Sequence, residues 1–210
     1  MLVLFHAVII SIFIFLSALY YSKYYKEREK NIQLTLLYEK ERELAITDPL
    51  TGLYNRRSLK QRITEEISRA VRYKHNFITL FIDLDDFKMV NDKYGHAAGD
   101  MVLKETSDRL KRIIRRYDIA ARYGGDEFVV ILLEIPMEPA ILLAKKIIEA
   151  IKNIEVKDVN AGISASIGIH EFASENYADN PIQEADRAMY HVKDNEKGAI
   201  YISKKNLEHK

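Results

Sequence analysis

The sequence predicts a mixed α+β domain, in which a central sheet of about five strands contains an antiparallel pair and is flanked by helices. Three observations lead to this prediction. Short apolar runs at 77–82 and 128–133 are bounded by glycine or acidic residues, as β-strands commonly are. Segments 56–73 and 138–152 repeat apolar residues at helical spacing. The glycine pair at 124–125 joins two extended runs, which indicates a hairpin.

Composition restricts the class of protein. The 210 residues are 48% hydrophobic and 30% charged, which is typical of a globular protein with a substantial core. The formal net charge of +1 gives no overall field that would favour nucleic acid, so we expect no nucleic-acid partner. The absence of cysteine excludes a disulfide framework, a thiolate metal site and a cysteine nucleophile.

The N-terminal segment 1–22 contains no Lys, Arg, Asp or Glu and is dominated by apolar residues. A helix of about 20 such residues crosses a hydrocarbon core of about 30 Å, and the tyrosines at its end suit the membrane interface. We therefore predict a transmembrane helix over 1–22, with a buried helix as the alternative. Basic residues flank only its C-terminal side, which predicts a single-pass protein whose main domain lies in the cytoplasm.

The next segment, 23–47, has neither glycine nor proline and mixes basic with acidic residues, which predicts a helical stalk. Leu37 and Leu44 are seven residues apart, so a short parallel coiled coil and a single solvated helix both remain open. All eight glycines follow residue 51, so turn chemistry begins only after the stalk. We place the folded domain at 48–205.

Elements of this domain follow from periodicity and turn residues. In chain order we predict a helix at about 56–73, a strand at 77–82, short helices around a polar turn at 91–100, a helix at about 97–116, the hairpin around 118–133, a helix at 138–152, a strand at 164–170, a helix at 181–193 and a closing strand at 199–203.

Two groups of carboxylates follow these predicted strands and turns. Asp83 comes directly after the strand at 77–82, whereas Asp126 and Glu127 follow the glycine pair of the hairpin. Burial of unpaired carboxylates is costly, so the hairpin pattern by itself leaves a solvated turn and a cation site equally open. If the two strands are neighbours, both groups meet at one edge of the sheet.

Carboxylates that converge without a histidine or cysteine suit a hard cation, here Mg²⁺ with Mn²⁺ as the alternative. Mg²⁺ usually binds together with substrate phosphates, which points to phosphoryl or nucleotidyl transfer from a nucleoside triphosphate. No GxxxxGK[ST] motif is present, which excludes a P-loop NTPase. Asp85 and Asp86 suit outer or solvent-facing positions and are not counted among the candidate ligands.

Four motifs resemble the diguanylate cyclase (GGDEF) family in the family's own order. They are DPLTGLYNRR at 48–57, DLDDFKMVND at 83–92, YGHAAGD at 94–100 and GGDEF at 124–128. The resemblance covers residues from about 46 to 203. It implies a fold similar to the palm of class III nucleotidyl cyclases and polymerases. It also implies condensation of two GTP into cyclic di-GMP with release of two pyrophosphates. Together with the anchor predicted at 1–22, this predicts a location at the bacterial inner membrane.

The resemblance implies a metal site and a catalytic role for the acidic residues. Asp83, Asp126, Glu127 and the carbonyl of Leu84 would hold the metal ion. Asp126 and Glu127 would be catalytic, since Glu127 would lie beside the ribose 3′-OH and help to activate it. One domain would carry one GTP site, so the resemblance implies a homodimer, which the anchor and stalk would favour by raising the effective concentration.

Eight positions would bind substrate, namely Lys88, Asn91, His96, Asp100, Gly124, Gly125, Lys193 and Lys197. Asn91 and Asp100 would read guanine, and His96 would line the same pocket. The three lysines would neutralise the triphosphate, and the backbone of the glycine pair would run along the phosphates. The family's C-terminal motif places a glycine three residues after its lysine, whereas the glycine here is displaced to Gly198.

Arg115 and Asp118 form an RxxD motif five residues before the glycine pair. In the family this motif at this offset is a product-inhibition site for cyclic di-GMP, although an isolated RxxD also suits an exposed helix end. Two other functions remain open. The chain could be a catalytically silent receptor for GTP or cyclic di-GMP, or an enzyme that uses another nucleotide.

Overall fold

The computed structural model describes residues 1–44, 46–155, 162–175, 179–193 and 197–203. Of these residues, the side chains at 2–5, 7–8, 39–40, 42–44 and 191–193 are not described. The chain divides into two compact units, Met1–Ala45 and Ile46–Lys210. The domain start predicted at residue 48 lies two residues inside the second unit.

The described residues of the first unit form one helix, α1 (Leu2–Leu44), which contains all but the first residue of the predicted membrane segment and most of the predicted stalk. Its described apolar side chains are exposed, among them Phe13, Phe15 and Leu37. Within the described part of the chain, no helix combines the length and the apolar character needed to span a membrane. Part of the predicted segment 1–22 lies outside the described side chains, and the membrane anchor stays a prediction.

The described residues of the second unit form a six-stranded sheet with helices on both faces. In chain order its described elements are β1 (Tyr54–Asn55), α2 (Arg56–Tyr73), β2 (Phe77–Asp85), α3 (Phe87–Tyr94), α4 (His96–Ile113), β3 (Ile119–Gly124), β4 (Glu127–Leu133), α5 (Met137–Lys152), β5 (Ser164–Phe172), α6 (Pro181–Lys193) and β6 (Ile200–Ile202).

The strand order is β1-β3-β4-β2-β5-β6. The four inner strands pair antiparallel, whereas β1 and β6 each join an edge in parallel. The mixed α+β class and the central hairpin are therefore confirmed. The sequence predicted about five strands and missed β1, because two residues are too few to show any periodicity.

Strand β2 forms the centre of the core, and all nine of its residues are buried. Its alternate side chains enter two hydrophobic clusters. Phe77 and Phe81 pack with residues of α2 and α6, whereas Ile78 and Leu80 pack with residues of α4 and α5. Helices cover both faces of the strand, which explains why its sequence is a continuous apolar run rather than an alternating one.

Helix α4 ends earlier than the sequence predicts. It stops at Ile113 instead of residue 116, because Ile114 adopts an extended backbone with φ −82° and ψ 160°. The next residues form a turn in which the amide of Asp118 donates to the carbonyl of Arg115. Apolar periodicity alone could not reveal this end, since Ile113 and Ile114 both pack against the core.

Candidate active site

The two acidic groups lie on neighbouring strands. Strands β2 and β4 are antiparallel, and their register places Asp83 directly opposite Glu127. Directly opposed residues project from the same face of a sheet, with Cβ atoms about 4.5–5.5 Å apart. Asp83 is 5% exposed and Glu127 is half-buried, so both carboxylates lie at the partly covered end of the sheet.

Asp126 is held beside this pair through its backbone. The amide of Leu84 donates to the carbonyl of Asp126 at 3.2 Å, which fastens the hairpin turn to the end of β2. The four predicted metal-site residues are therefore neighbours in the fold. In the described residues no group of three or more histidine, aspartate or glutamate side chains is arranged to hold a metal ion.

The hairpin turn carries the predicted glycine pair. The β3–β4 register is irregular between Arg122 and Gly124, and Gly125 is exposed with a positive φ of 38°. Residues with a β-carbon rarely adopt this backbone conformation, so glycine is the residue that fits here. The turn leaves Gly125 exposed and Gly124 half-buried, beside the opposed carboxylates.

Arg122 stabilises this turn, although the sequence pattern assigned no role to this arginine. Its Nε and Nη2 donate to the carbonyl of Gly125 at 3.0 and 2.8 Å. Its Nη1 lies 3.4 Å from the carboxylate of Asp48, and both side chains are 18% exposed. Arg122 therefore ties the hairpin turn to the first motif of the domain. An arginine two residues before GG and an aspartate in DPLTG were the only signals that could have suggested this pair.

The surroundings of Asp48 favour its ionised form. Burial by itself would raise the pKa of Asp48, but hydrogen bonds from Thr51 and the charge of Arg122 outweigh burial and hold it below its ordinary value of 3.8. The backbone amide and the hydroxyl of Thr51 donate to Asp48 Oδ1 at 2.9 and 2.7 Å. The motif DPLTG thus forms a turn that presents one carboxylate to Arg122.

The predicted guanine-reading residues come from two adjacent helices. Asn91 lies in α3 and is half-buried, whereas His96 and Asp100 lie in α4 and are exposed. Gly99, to which sequence reasoning assigned no role, lies at the contact between the helices. A β-carbon at this position would lie 2.0 Å from Asn91 Oδ1, so glycine allows α4 to approach the Asn91 amide. The sequence feature that could have pointed to Gly99 is its position inside a predicted helix, where glycine is intrinsically unfavourable.

The predicted phosphate lysines are placed differently from one another. Lys88 is exposed in α3, one residue after its start. Lys197 Nζ lies 2.7 Å from Asp86 Oδ1, and the hydrogen bond and charge of Asp86 raise the pKa of Lys197. Lys193 is the last residue of α6, and its side chain lies outside the described part of the structure.

The RxxD motif lies at the other end of β3 from the glycine pair. Arg115 is exposed, and its Nη1 donates to the hydroxyl of Tyr117 at 2.8 Å. The Asp118 carboxylate accepts from the amides of Arg115 at 2.8 Å and Leu133 at 3.2 Å. Asp118 therefore stabilises the turn between α4 and β3. Arg115 and Asp118 line a cleft of about 340 Å³ that also includes Lys111.

Comparisons with known proteins place this arrangement in a family. The model of the diguanylate cyclase GGDEF domain matches residues 45–199. The bifunctional diguanylate cyclase/cyclic di-GMP phosphodiesterase MucR of Pseudomonas aeruginosa is 40% identical over 154 residues, which are 72% of this chain and 22% of that protein. Diguanylate cyclase DgcS of Shewanella oneidensis is 37% identical over 163 residues, which are 78% of this chain and 54% of that protein.

The chain thus spans from about a fifth to about half of these relatives. A solved structure agrees with the fold. The crystal structure of the GGDEF domain of DgcB from Caulobacter crescentus in complex with c-di-GMP has a TM-score of 0.72 and 25% sequence identity, and it covers 76% of this chain and 96% of that chain. The match to the family model over most of the domain shows that the chain belongs to the diguanylate cyclase GGDEF domain family.

Proposed function

We propose that this protein condenses two GTP into cyclic di-GMP and releases two pyrophosphates. The observation that carries the proposal is the direct opposition of Asp83 and Glu127 beside the exposed glycine turn, in a member of this family. The relative DgcS is a diguanylate cyclase, which supports the same activity here.

The donor set fits a hard divalent cation. Asp83, Asp126 and Glu127 offer carboxylate oxygens and Leu84 offers a carbonyl, with no nitrogen or sulfur ligand in the set. A small number of carboxylates beside an exposed turn suits Mg²⁺, which usually binds together with substrate phosphates, and Mn²⁺ accepts the same ligands. When bound, the ion polarises the α-phosphate and lowers the pKa of the attacking hydroxyl.

The residues of the chain orient the substrate and accept the proton. Asn91 and Asp100 hydrogen-bond guanine, while His96 lines the pocket. The ribose 3′-oxygen of one GTP attacks the α-phosphorus of the second GTP, in line with the bond to the leaving pyrophosphate. Glu127 accepts the proton of the 3′-hydroxyl as the new bond forms, and pyrophosphate leaves. A second reaction of the same kind closes the ring.

Lysines 88, 193 and 197 and the backbone at 124–125 hold the triphosphate. A phosphate chain carries several negative charges, so it needs cationic side chains and an unobstructed backbone beside it. Of the three lysines, Lys88 and Lys197 have described side chains, and both are exposed to an incoming nucleotide.

Each domain offers one such site, so the reaction requires two domains to face each other. We propose that α1 promotes this homodimer by raising the effective concentration of the domains. The same segment would anchor the chain through residues 1–22 in the bacterial inner membrane, with the catalytic domain in the cytoplasm. The apolar composition and the basic flank of this segment support the anchor.

We propose feedback inhibition by cyclic di-GMP at the RxxD turn. Arg115 is exposed beside a cleft, and its guanidinium suits bidentate contact with phosphate or a guanine edge. Arg115→Ala should raise the product concentration needed for half-inhibition about tenfold or more. Arg112→Ala, at an exposed position of α4, is the matched control. Equal inhibition of both variants would contradict this site.

The proposed activity is tested by incubating the full chain with GTP and Mg²⁺ and separating the nucleotides by chromatography. We expect cyclic di-GMP from GTP and no cyclic product from ATP. Asp126→Ala should abolish turnover while the circular dichroism and the melting temperature remain those of the wild type. Asp108→Ala, an exposed carboxylate on α4, should retain activity. Binding of cyclic di-GMP without any turnover by the wild type would instead identify a receptor.

A further inference from the structure

Two carboxylates next to the metal-site residues have no part in the proposed chemistry. Asp85 ends β2, and Asp86 links it to α3. Asp85 is 3% exposed, and both of its oxygens accept hydrogen bonds from other parts of the domain. Oδ1 accepts from the Ser166 hydroxyl at 2.8 Å, and Oδ2 accepts from the backbone amide of Gly198 at 2.9 Å.

The hydrogen bond that the Gly198 amide donates fastens the backbone at 198 to the end of β2. Gly198 adopts a φ of +70°, and a β-carbon there would lie 2.5 Å from Ser164 Oγ. The backbone at 198 therefore lies directly against the start of β5. Because Lys197 immediately precedes this fixed point, the Asp85 carboxylate determines where the base of the Lys197 side chain lies.

Asp86 acts on the other end of the same side chain. Its backbone is left-handed, with φ 59°, and its carboxylate does not cap α3. The carboxylate instead forms an ion pair of 2.7 Å with Lys197 Nζ. Lys197 is 60% and Asp86 39% exposed, so the pair is weak and a triphosphate with several charges can displace it.

We propose that Asp85 is a positioning residue that holds Lys197 within reach of the nucleotide triphosphate, and that Asp86 competes with the triphosphate for the same ammonium group. This inference rests on the proposed function, since it assumes that GTP binds at the end of β2.

The two acids have opposite effects in this arrangement. Asp85→Asn removes a charged acceptor from Gly198 and loosens the Lys197 segment, so the Kd for nucleotide should rise about tenfold. Asp86→Asn removes the carboxylate that competes with the triphosphate for Lys197, so the Kd for nucleotide should fall about threefold. A purely structural role for both residues would weaken binding in both variants.

The test uses the full chain and a GTP analogue that lacks the attacking 3′-hydroxyl, so that binding is measured by calorimetry without turnover. Each substitution is made in the wild type and in a Lys197→Gln background. If both acids act through Lys197, neither substitution changes the Kd in that background. The corresponding monophosphate should show neither effect, because it lacks the β- and γ-phosphates.

A second variant covers the case in which Asp85→Asn does not fold. Ser166→Ala removes one hydrogen bond to Asp85 and leaves both acids in place. It should raise the Kd for nucleotide as Asp85→Asn does, but by a smaller factor. A rise in Kd with Asp86→Asn, or effects that persist in the Lys197→Gln background, would overturn the inference alone. Absence of nucleotide binding by the wild type would overturn both the inference and the proposed function.

Discussion

At the scale of single residues, Gly99 decides how closely Asn91, which we propose reads guanine, and helix α4 approach each other. A β-carbon at 99 would lie 2.0 Å from Asn91 Oδ1 and 3.1 Å from Phe87 Cζ. Phe87 is 9% exposed and packed in the core, so Asn91 is the neighbour that has to move. Gly99 therefore affects the proposed guanine pocket without itself touching the base.

Gly99→Ala should raise the KM for GTP about tenfold with a smaller change in kcat, because it displaces an amide that contributes about 1–1.5 kcal/mol of hydrogen bonding. Steady-state kinetics on the purified chain measure this split. In an Asn91→Ala background the same substitution should have little further effect. Lys104→Ala, on the exposed side of α4, is the control. A Gly99 effect that adds fully to Asn91→Ala would contradict the contact.

The electrostatics of Asp48 predict a dependence of stability on pH. The folded pKa of Asp48 lies below its ordinary value of 3.8, so ionised Asp48 stabilises the fold. This contribution is fully present above the unfolded pKa and is lost as the pH falls through the folded pKa. The difference in unfolding free energy between wild type and Asp48→Asn should be constant above about pH 5 and shrink towards pH 3.

Asp186 provides a control of opposite sign. Burial raises the pKa of Asp186, so its ionisation opposes folding, and Asp186→Asn should increase stability at pH 7. This gain should disappear as the pH falls below the ordinary value of 3.8. Urea titrations between about pH 3 and 7 measure both variants. A pH-independent difference for Asp48→Asn would show that its charge does not support the fold.

At the scale of elements, the β3–β4 hairpin is positioned by Arg122 as well as by strand pairing. The guanidinium contacts the Gly125 carbonyl through two nitrogens and Asp48 through a third. A lysine has one ammonium group and cannot make this set of contacts from one position. The orientation of the turn that carries Asp126 therefore depends on the fork of the arginine.

Arg122→Lys should lower kcat about tenfold, equivalent to about 1.4 kcal/mol in the barrier, with a smaller effect on the KM for GTP. The reason is that a loosened turn misplaces Asp126 and Glu127 while leaving the proposed guanine pocket intact. The kinetics are compared with those of Arg112→Lys at an exposed site on α4. A change in KM alone would indicate that Arg122 contributes to substrate binding instead.

At the scale of the whole molecule, the proposed mechanism makes the site of one domain half of a reaction centre. The opposed carboxylates, of which Asp83 is buried and Glu127 half-buried, lie beside an exposed turn. One GTP bound there needs the 3′-OH of a second GTP, which a facing domain would supply. Activity should therefore follow the population of dimers rather than of chains.

Turnover per chain should rise with protein concentration and then saturate, because association creates the complete site. A variant without residues 1–45 should reach the same plateau only at higher concentration. Product formation over a dilution series, together with mass measurement by light scattering, tests both statements. Constant turnover per chain down to concentrations at which the protein is monomeric would contradict the facing half-sites.

Local patterns predicted much of the fold. The helix predicted at 56–73 agrees with α2 (Arg56–Tyr73), and the strand at 77–82 is contained in β2. Both patterns are repeated over enough residues for the periodicity to be clear. Strand β1 lacked such a signal because it has only two residues. The end of α4 also lacked one, because a turn around Asp118 determines where this helix stops.

The sequence by itself determined the family, the glycine turn and the set of acidic residues, because each is a matter of residue type and local spacing. Tertiary structure decided what each of these residues touches. Asp48 meets Arg122 across 74 positions, and Asp85 meets Gly198 across 113. Such contacts depend on strand register, in which a slip of one residue turns every side chain to the other face. For that reason the direct pairing of Asp83 with Glu127 emerged only from the folded sheet.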